Sequence, residues 1–211
     1  MNLTRLNLIF SIVQSEDDYQ NRLEIIIAKI LRHSSLERCY IESARAVYFS
    51  EVNSPVEIQY FNINYTNFES LYRLFQYTPK LRHLTAKIAI HNESKIENLS
   101  VPATLRSLKI ILSYPAFDDL KKLLENLSKL EKFHLITHSI NEPPTMTSSW
   151  SQLINDYLRG LTQFRREANV PIEQIETYMQ AYHWTNGWKF QEKTSPHGST
   201  YSRVCISNIR Y

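Results

Sequence analysis

A short pattern with apolar residues in its first, fourth and sixth places recurs along this chain, and it constrains the fold more than any other feature. It occurs as LTRLNL from Leu3, LERCYI from Leu36, IQYFNI from Ile58, LRHLTA from Leu81, LRSLKI from Leu105 and LEKFHL from Leu130; LTQFRR from Leu161 begins it again and breaks off at Arg166. Successive starts are 33, 22, 23, 24, 25 and 31 residues apart. With 43% apolar residues, any one such triplet arises by chance in about 8% of windows, so the weight rests on the spacing and on what fills it. Each segment is short enough for one strand, and several intervals have helical periodicity.

The first interval carries Ser15 with Asp18 three residues on, acids Glu16 to Asp18, and Lys29, Arg32 and His33 at its end. That charge order predicts a helix with a stripe of Tyr19, Leu23, Ile26, Ile27, Ile30 and Leu31. Thr66 or Asn67 is placed to cap a second helix with Phe68, Leu71, Leu74 and Phe75 on one face. Pro115 suits the first turn of a third, which buries Phe117, Leu120, Leu123, Leu124 and Leu127. Trp150, Leu153, Ile154, Tyr157 and Leu158 make a fourth, whereas SARAVYFSEVNSP and HNESKIENLSVPAT predict irregular returns. PIEQIETYMQAY from Pro171 has the spacing of a last amphipathic helix, and the tail from Trp188 predicts two short strands around a Pro-Gly turn.

The triplets LxxLxL, each followed by a helix or an irregular return, resemble the leucine-rich-repeat family over about Leu3 to Arg166. The resemblance implies an α/β fold: a leucine-rich-repeat solenoid with a curved parallel inner sheet, outer helices and a partner held in the concavity. On that reading residues 1–170 form an irregular solenoid and residues 171–211 a C-terminal capping helix with short strands. The blocks LYRLFQYTPKLRHLTAKI and LKKLLENLSKLEKFHLI are further similar to repeats that follow an F-box in substrate receptors of ubiquitin ligases. No segment matches an F-box, so a ligase scaffold is expected as partner only if one lies upstream.

Composition removes several other classes. Three scattered glycines, Gly160, Gly187 and Gly198, cannot build a phosphate-cradling loop. Cys39 and Cys205 sit in apolar alternations, which predicts buried thiols and a reducing compartment, cytoplasmic or nuclear. No segment has the roughly 18 apolar residues of a membrane helix. His134 and His138 on a strand would lie about 13 Å apart, too far for one metal ion. Asp17 with Asp18 and Asp118 with Asp119 read as helix-start charges. No catalytic constellation is present, so a non-enzymatic protein with no cofactor and no metal is expected.

If the first, fourth and sixth places face the core, alternation turns the third and fifth to the opposite, solvent side. Those fourteen places hold Arg5 and Asn7, Arg38 and Tyr40, Tyr60 and Asn62, His83 and Thr85, Ser107 and Lys109, Lys132 and His134, Gln163 and Arg165. Five are Lys or Arg and none is acidic. Random placement of 24 basic and 21 acidic residues in 211 would give about 1.6 and 1.4, so the bias predicts a face selective for an acidic or phosphorylated protein partner. Its expected contact residues are Arg5, Arg38, Tyr40, Tyr60, His83, Lys109, Lys132, His134 and Arg165. Glu37, Glu42, Glu131 and Glu167 lie just outside the set and partly offset its field. The alternative is nucleic-acid binding with Tyr40 and Tyr60 as stacking platforms, a class that the small net charge of +3 disfavours.

Overall fold

The computed structural model describes residues 4–10, 16–33, 35–43, 46–50, 52, 54–89, 100–113, 117–137, 152–154, 156–177, 189–193 and 201–209. Its class is α/β, with mostly parallel strands and few helices. The residues cluster into two compact units, Met1–Ser107 and Leu108–Tyr211.

The first unit contains β1 (Arg5–Phe10), α1 (Glu16–Leu31), β2 (Arg38–Ser43), β3 (Tyr60–Thr66), α2 (Phe68–Tyr77) and β4 (His83–Ile88). Its strands lie side by side in chain order, all parallel. One hydrogen bond, repeated at each step, sets their alignment. The first residue of a strand donates its N–H to the carbonyl just before the neighbouring strand: Arg38 to Thr4, Tyr60 to Glu37 and His83 to Gln59, each at 3.0 Å. Arg5, Arg38, Tyr60 and His83 therefore share one row across the sheet, and Asn7, Tyr40, Asn62 and Thr85 the next.

The apolar triplets face the other way. Leu36, Cys39 and Ile41, Ile58, Phe61 and Ile63, and Leu81, Leu84 and Ala86 are all buried. Parallel strands need a crossover, and here the crossovers supply the second layer of the core. On α1 the buried residues are Leu23, Ile27, Ala28 and Leu31, while Ile26, expected on that stripe, is exposed. On α2, Leu71, Leu74 and Phe75 are buried, and Asn67 caps the helix by accepting from the Ser70 N–H at 2.8 Å. The irregular return between β2 and β3 buries Val47, Phe49, Val52 and Val56.

The second unit is built from β5 (Ser107–Leu112, all but its first residue), α3 (Phe117–Glu125), β6 (Lys132–Thr137), β7 (Gln163–Pro171), β8 (Lys189–Lys193) and β9 (Tyr201–Ile209), in the order β5-β6-β7-β9-β8. β6 and β7 are parallel, with Gln163 donating to the Glu131 carbonyl at 3.0 Å in the same manner as in the first unit. β9 runs antiparallel to β7 along nine residue pairs, and β8 antiparallel to β9. Leu120, Leu123, Leu124, Leu130, Phe133, Leu135, Leu153, Ile154 and Leu158 are buried as expected, whereas Tyr157 is exposed.

The apolar pattern breaks off at Arg166, but the strand runs on past it. β7 continues to Pro171 because β9 supplies hydrogen-bond partners and because Ala168 and Val170 pack with Val204 and Ile206 in a small apolar cluster. The helix expected from Pro171 begins as a 3-10 turn, Ile172–Gln174, with Ile175 against the same cluster. Its later residues Tyr178, Met179 and Tyr182 lie outside the described residues, as do Ser15, Pro115, His138, Trp150, Trp188 and the Pro-Gly turn. Among the described residues no helix is long and apolar enough to cross a membrane.

Candidate binding face

The outward rows of the first unit enclose an open groove of about 280 Å³ lined by Arg5, Asn7, Arg38, Tyr40, Tyr60, Asn62, His83 and Thr85, together with strand residues Leu6, Cys39 and Phe61. Five of the expected contact residues thus meet in one place: Arg5, Arg38, Tyr40, Tyr60 and His83. Period-two geometry and parallel alignment suffice to bring them together.

Three of them stack. The Arg38 guanidinium carbon lies 4.5 Å from the centre of the Tyr60 ring. The rings of Tyr60 and His83 have centres 4.4 Å apart and planes within 4° of parallel. Since Arg38 comes from the strand on one side of Tyr60 and His83 from the strand on the other, the phenol ring is covered on both faces. Cation–π and ring contacts of this sort contribute about 0.5–1 kcal/mol each at exposed sites, and the larger consequence is that Arg38 is held in one orientation.

The next row is neutral: Asn7, Tyr40, Asn62 and Thr85. The Tyr40 hydroxyl donates to Glu42 at 3.3 Å. Its pKa is raised, first by burial and then by the Glu42 carboxylate. Cys39, between the two rows in sequence, faces the core, and burial pushes its thiol up to about 12.

Beyond these rows the structure adds residues that alternation alone did not reveal. In β3 an extra residue lies between the pairs Ile63↔Ala86 and Thr66↔Ile88, and Tyr65 has a φ of 68°. Tyr65 is thereby turned towards Lys87, whose Nζ donates to its hydroxyl at 2.9 Å and lies 4.1 Å from its ring centre. The bulge is fastened from behind, the Val47 N–H donating to the Tyr65 carbonyl at 2.9 Å and the Thr66 hydroxyl to the Val47 carbonyl at 3.0 Å. Lys87 is two places past Thr85, so continued alternation could have found it, whereas nothing in the sequence marks Tyr65.

The remaining expected contacts, Lys109, Lys132, His134 and Arg165, belong to the second unit. Lys132 is exposed and Lys109 half-buried. His134 and Arg165 are brought together by Glu167, whose side chain is 7% exposed: its Oε1 accepts from an Arg165 guanidinium nitrogen at 2.7 Å and lies 3.1 Å from His134 Nε2. Glu167, next to the counted places and expected to offset their charge, shares their face. It is two places beyond Arg165 on one strand and therefore on the same face, where the alignment of His134 with Arg165 lets both reach it. Burial lowers the His134 pKa; Glu167 opposes that shift, while Lys109 and Arg165 add to it. Two of this unit's four basic candidates are thus engaged internally.

Among the described residues no group of three His, Cys, Asp or Glu could hold a metal ion. No protein-family model matches the sequence, and no curated protein matches it.

Proposed function

We propose that this protein is a non-enzymatic binding module of leucine-rich-repeat type, which takes an acidic or phosphorylated protein segment on the sheet face of its first unit. The observation that carries the reading is the Arg38–Tyr60–His83 stack beside Arg5, in a groove whose two rows contain no acid. Rigid aromatic residues and arginine supply most of the energy in protein interfaces, and a pre-ordered arginine loses less freedom on binding. The repeat character is supported by the identical strand-entry hydrogen bonds and by the buried triplets. A role as the substrate-recognition part of an F-box-type ubiquitin ligase receptor, in the cytoplasm or nucleus, is the narrower form of the proposal.

Affinity capture with quantitative mass spectrometry tests it, comparing the natural chain with the double reversal Arg38→Glu, Lys87→Glu. The proposal expects proteins with acidic or phosphorylated segments to be depleted from the variant's capture. An unchanged set of captured proteins contradicts it. Nucleic-acid binding is less well supported, because base stacking on Tyr60 would require opening a ring already covered on both faces.

A further inference from the structure

On the reading that the first unit's sheet face is a recognition surface, we propose that Arg5 and Arg38 form a fork for the phosphate monoester of a phosphoserine or phosphothreonine side chain. The two residues are direct partners on adjacent parallel strands, so their Cα atoms are about 5 Å apart and their side chains leave the sheet in the same direction. Two arginines at partnered positions carry donors enough for a dianion with three acceptor oxygens, whereas a single carboxylate is satisfied by one arginine.

Arg38 is also prepared for this task. The Arg38 guanidinium carbon lies 4.5 Å from the Tyr60 ring centre, and an arginine that stacks on a ring keeps in-plane N–H groups for bidentate phosphate bonding. Tyr60 is in turn held by His83. Among the described residues neither Arg5 nor Arg38 makes an ion pair with an acid. The acid on that face of β2, Glu42, is four residues beyond Arg38 and accepts from Tyr40.

The neighbouring row decides the kind of phosphate ester. Asn7 and Asn62 each offer an amide donor and acceptor beside the fork. A main chain brought close by a short phosphorylated side chain would meet those amides, and the long arm of phosphotyrosine would hold it away. A bare phosphodiester offers one negative charge and no main chain to bond.

The test uses four immobilised probes: a peptide pool with central phosphoserine and randomised flanks, the same pool with serine, the same pool with glutamate, and a single-stranded oligonucleotide. The proposal expects retention on the phosphoserine pool at least tenfold above the glutamate pool, with loss of that excess in Arg5→Ala and Arg38→Ala. Arg38→Lys, which keeps the charge and lacks the planar fork, should fall between. Lys129→Glu, at an exposed position outside the groove, should leave retention unchanged. Circular dichroism melting should be unchanged for Arg5→Ala and lowered by only a few degrees for Arg38→Ala, which loses its contact with Tyr60, so both variants remain folded. Equal retention on phosphoserine and glutamate pools, lost together in Arg38→Ala, overturns the fork and leaves the acidic-partner reading standing. Retention on the oligonucleotide alone, or on none of the probes, overturns both.

Discussion

At the residue scale, the structure separates side chains that can meet a partner from those that cannot. Cys39 lies one place from Arg38, yet its thiol is buried and its pKa is about 12. It should resist iodoacetamide in the native protein at pH 8 and react readily in urea, as peptide mass mapping would record; native labelling of Cys39 would place it at the surface. Arg38 and Tyr60 should be coupled: a double-mutant cycle of Arg38→Ala and Tyr60→Ala, read by urea unfolding, should give about 0.5–1 kcal/mol. Additive effects would mean that the stack is not held in solution. His134 has a lowered pKa in the folded state. The neutral ring is therefore favoured by folding, and its contribution is complete above the unfolded histidine value near 6.5 and declines as pH falls below it. The urea midpoint of the natural chain should drop between pH 7.5 and 5.5, and His134→Gln should drop less. Equal drops would contradict the assignment.

At the scale of elements, the strands, their order and the outward rows are legible in the sequence, because each triplet such as Leu36, Cys39 and Ile41 fixes both a face and an alignment. Asn67 as a cap is legible for a local reason, its side chain accepting from the Ser70 N–H three residues on. Asn67→Ala should therefore cost about 1 kcal/mol in unfolding free energy, against a few tenths for Asn67→Gly. What remains hidden depends on partners distant in the chain. β7 extends past Arg166 because β9, some 35 residues later, pairs with it. Ile26 is exposed although its spacing suits the stripe, while Leu23, Ile27, Ala28 and Leu31 are the buried apolar residues among those of α1 whose burial is described. The bulge at Tyr65 depends on one extra residue opposite Lys87 and on the Val47 hydrogen bonds, and no glycine marks it. In the candidate site, the Arg5 and Arg38 row follows from alternation, whereas the capture of Arg165 and His134 by Glu167 emerges only with β6 beside β7.

For the whole molecule, a net charge of +3 gives little long-range attraction, so recognition must rest on local placement of charge. Raising salt from 50 to 200 mM should weaken retention of acidic peptides only modestly, in contrast with the steep loss of a protein that neutralises many phosphates. The two units need not contribute alike. In the first, the expected contacts line an open groove; in the second, Glu167 already holds two of the four. The central claim is that partners meet the sheet face of the first unit, and photo-crosslinking reads this directly. A benzoylphenylalanine in place of Asn62, which lines the groove, should crosslink the phosphoserine peptide pool, and one in place of Gln76, on the exposed side of α2, should not. Crosslinks from Gln76 with none from Asn62 would contradict the account.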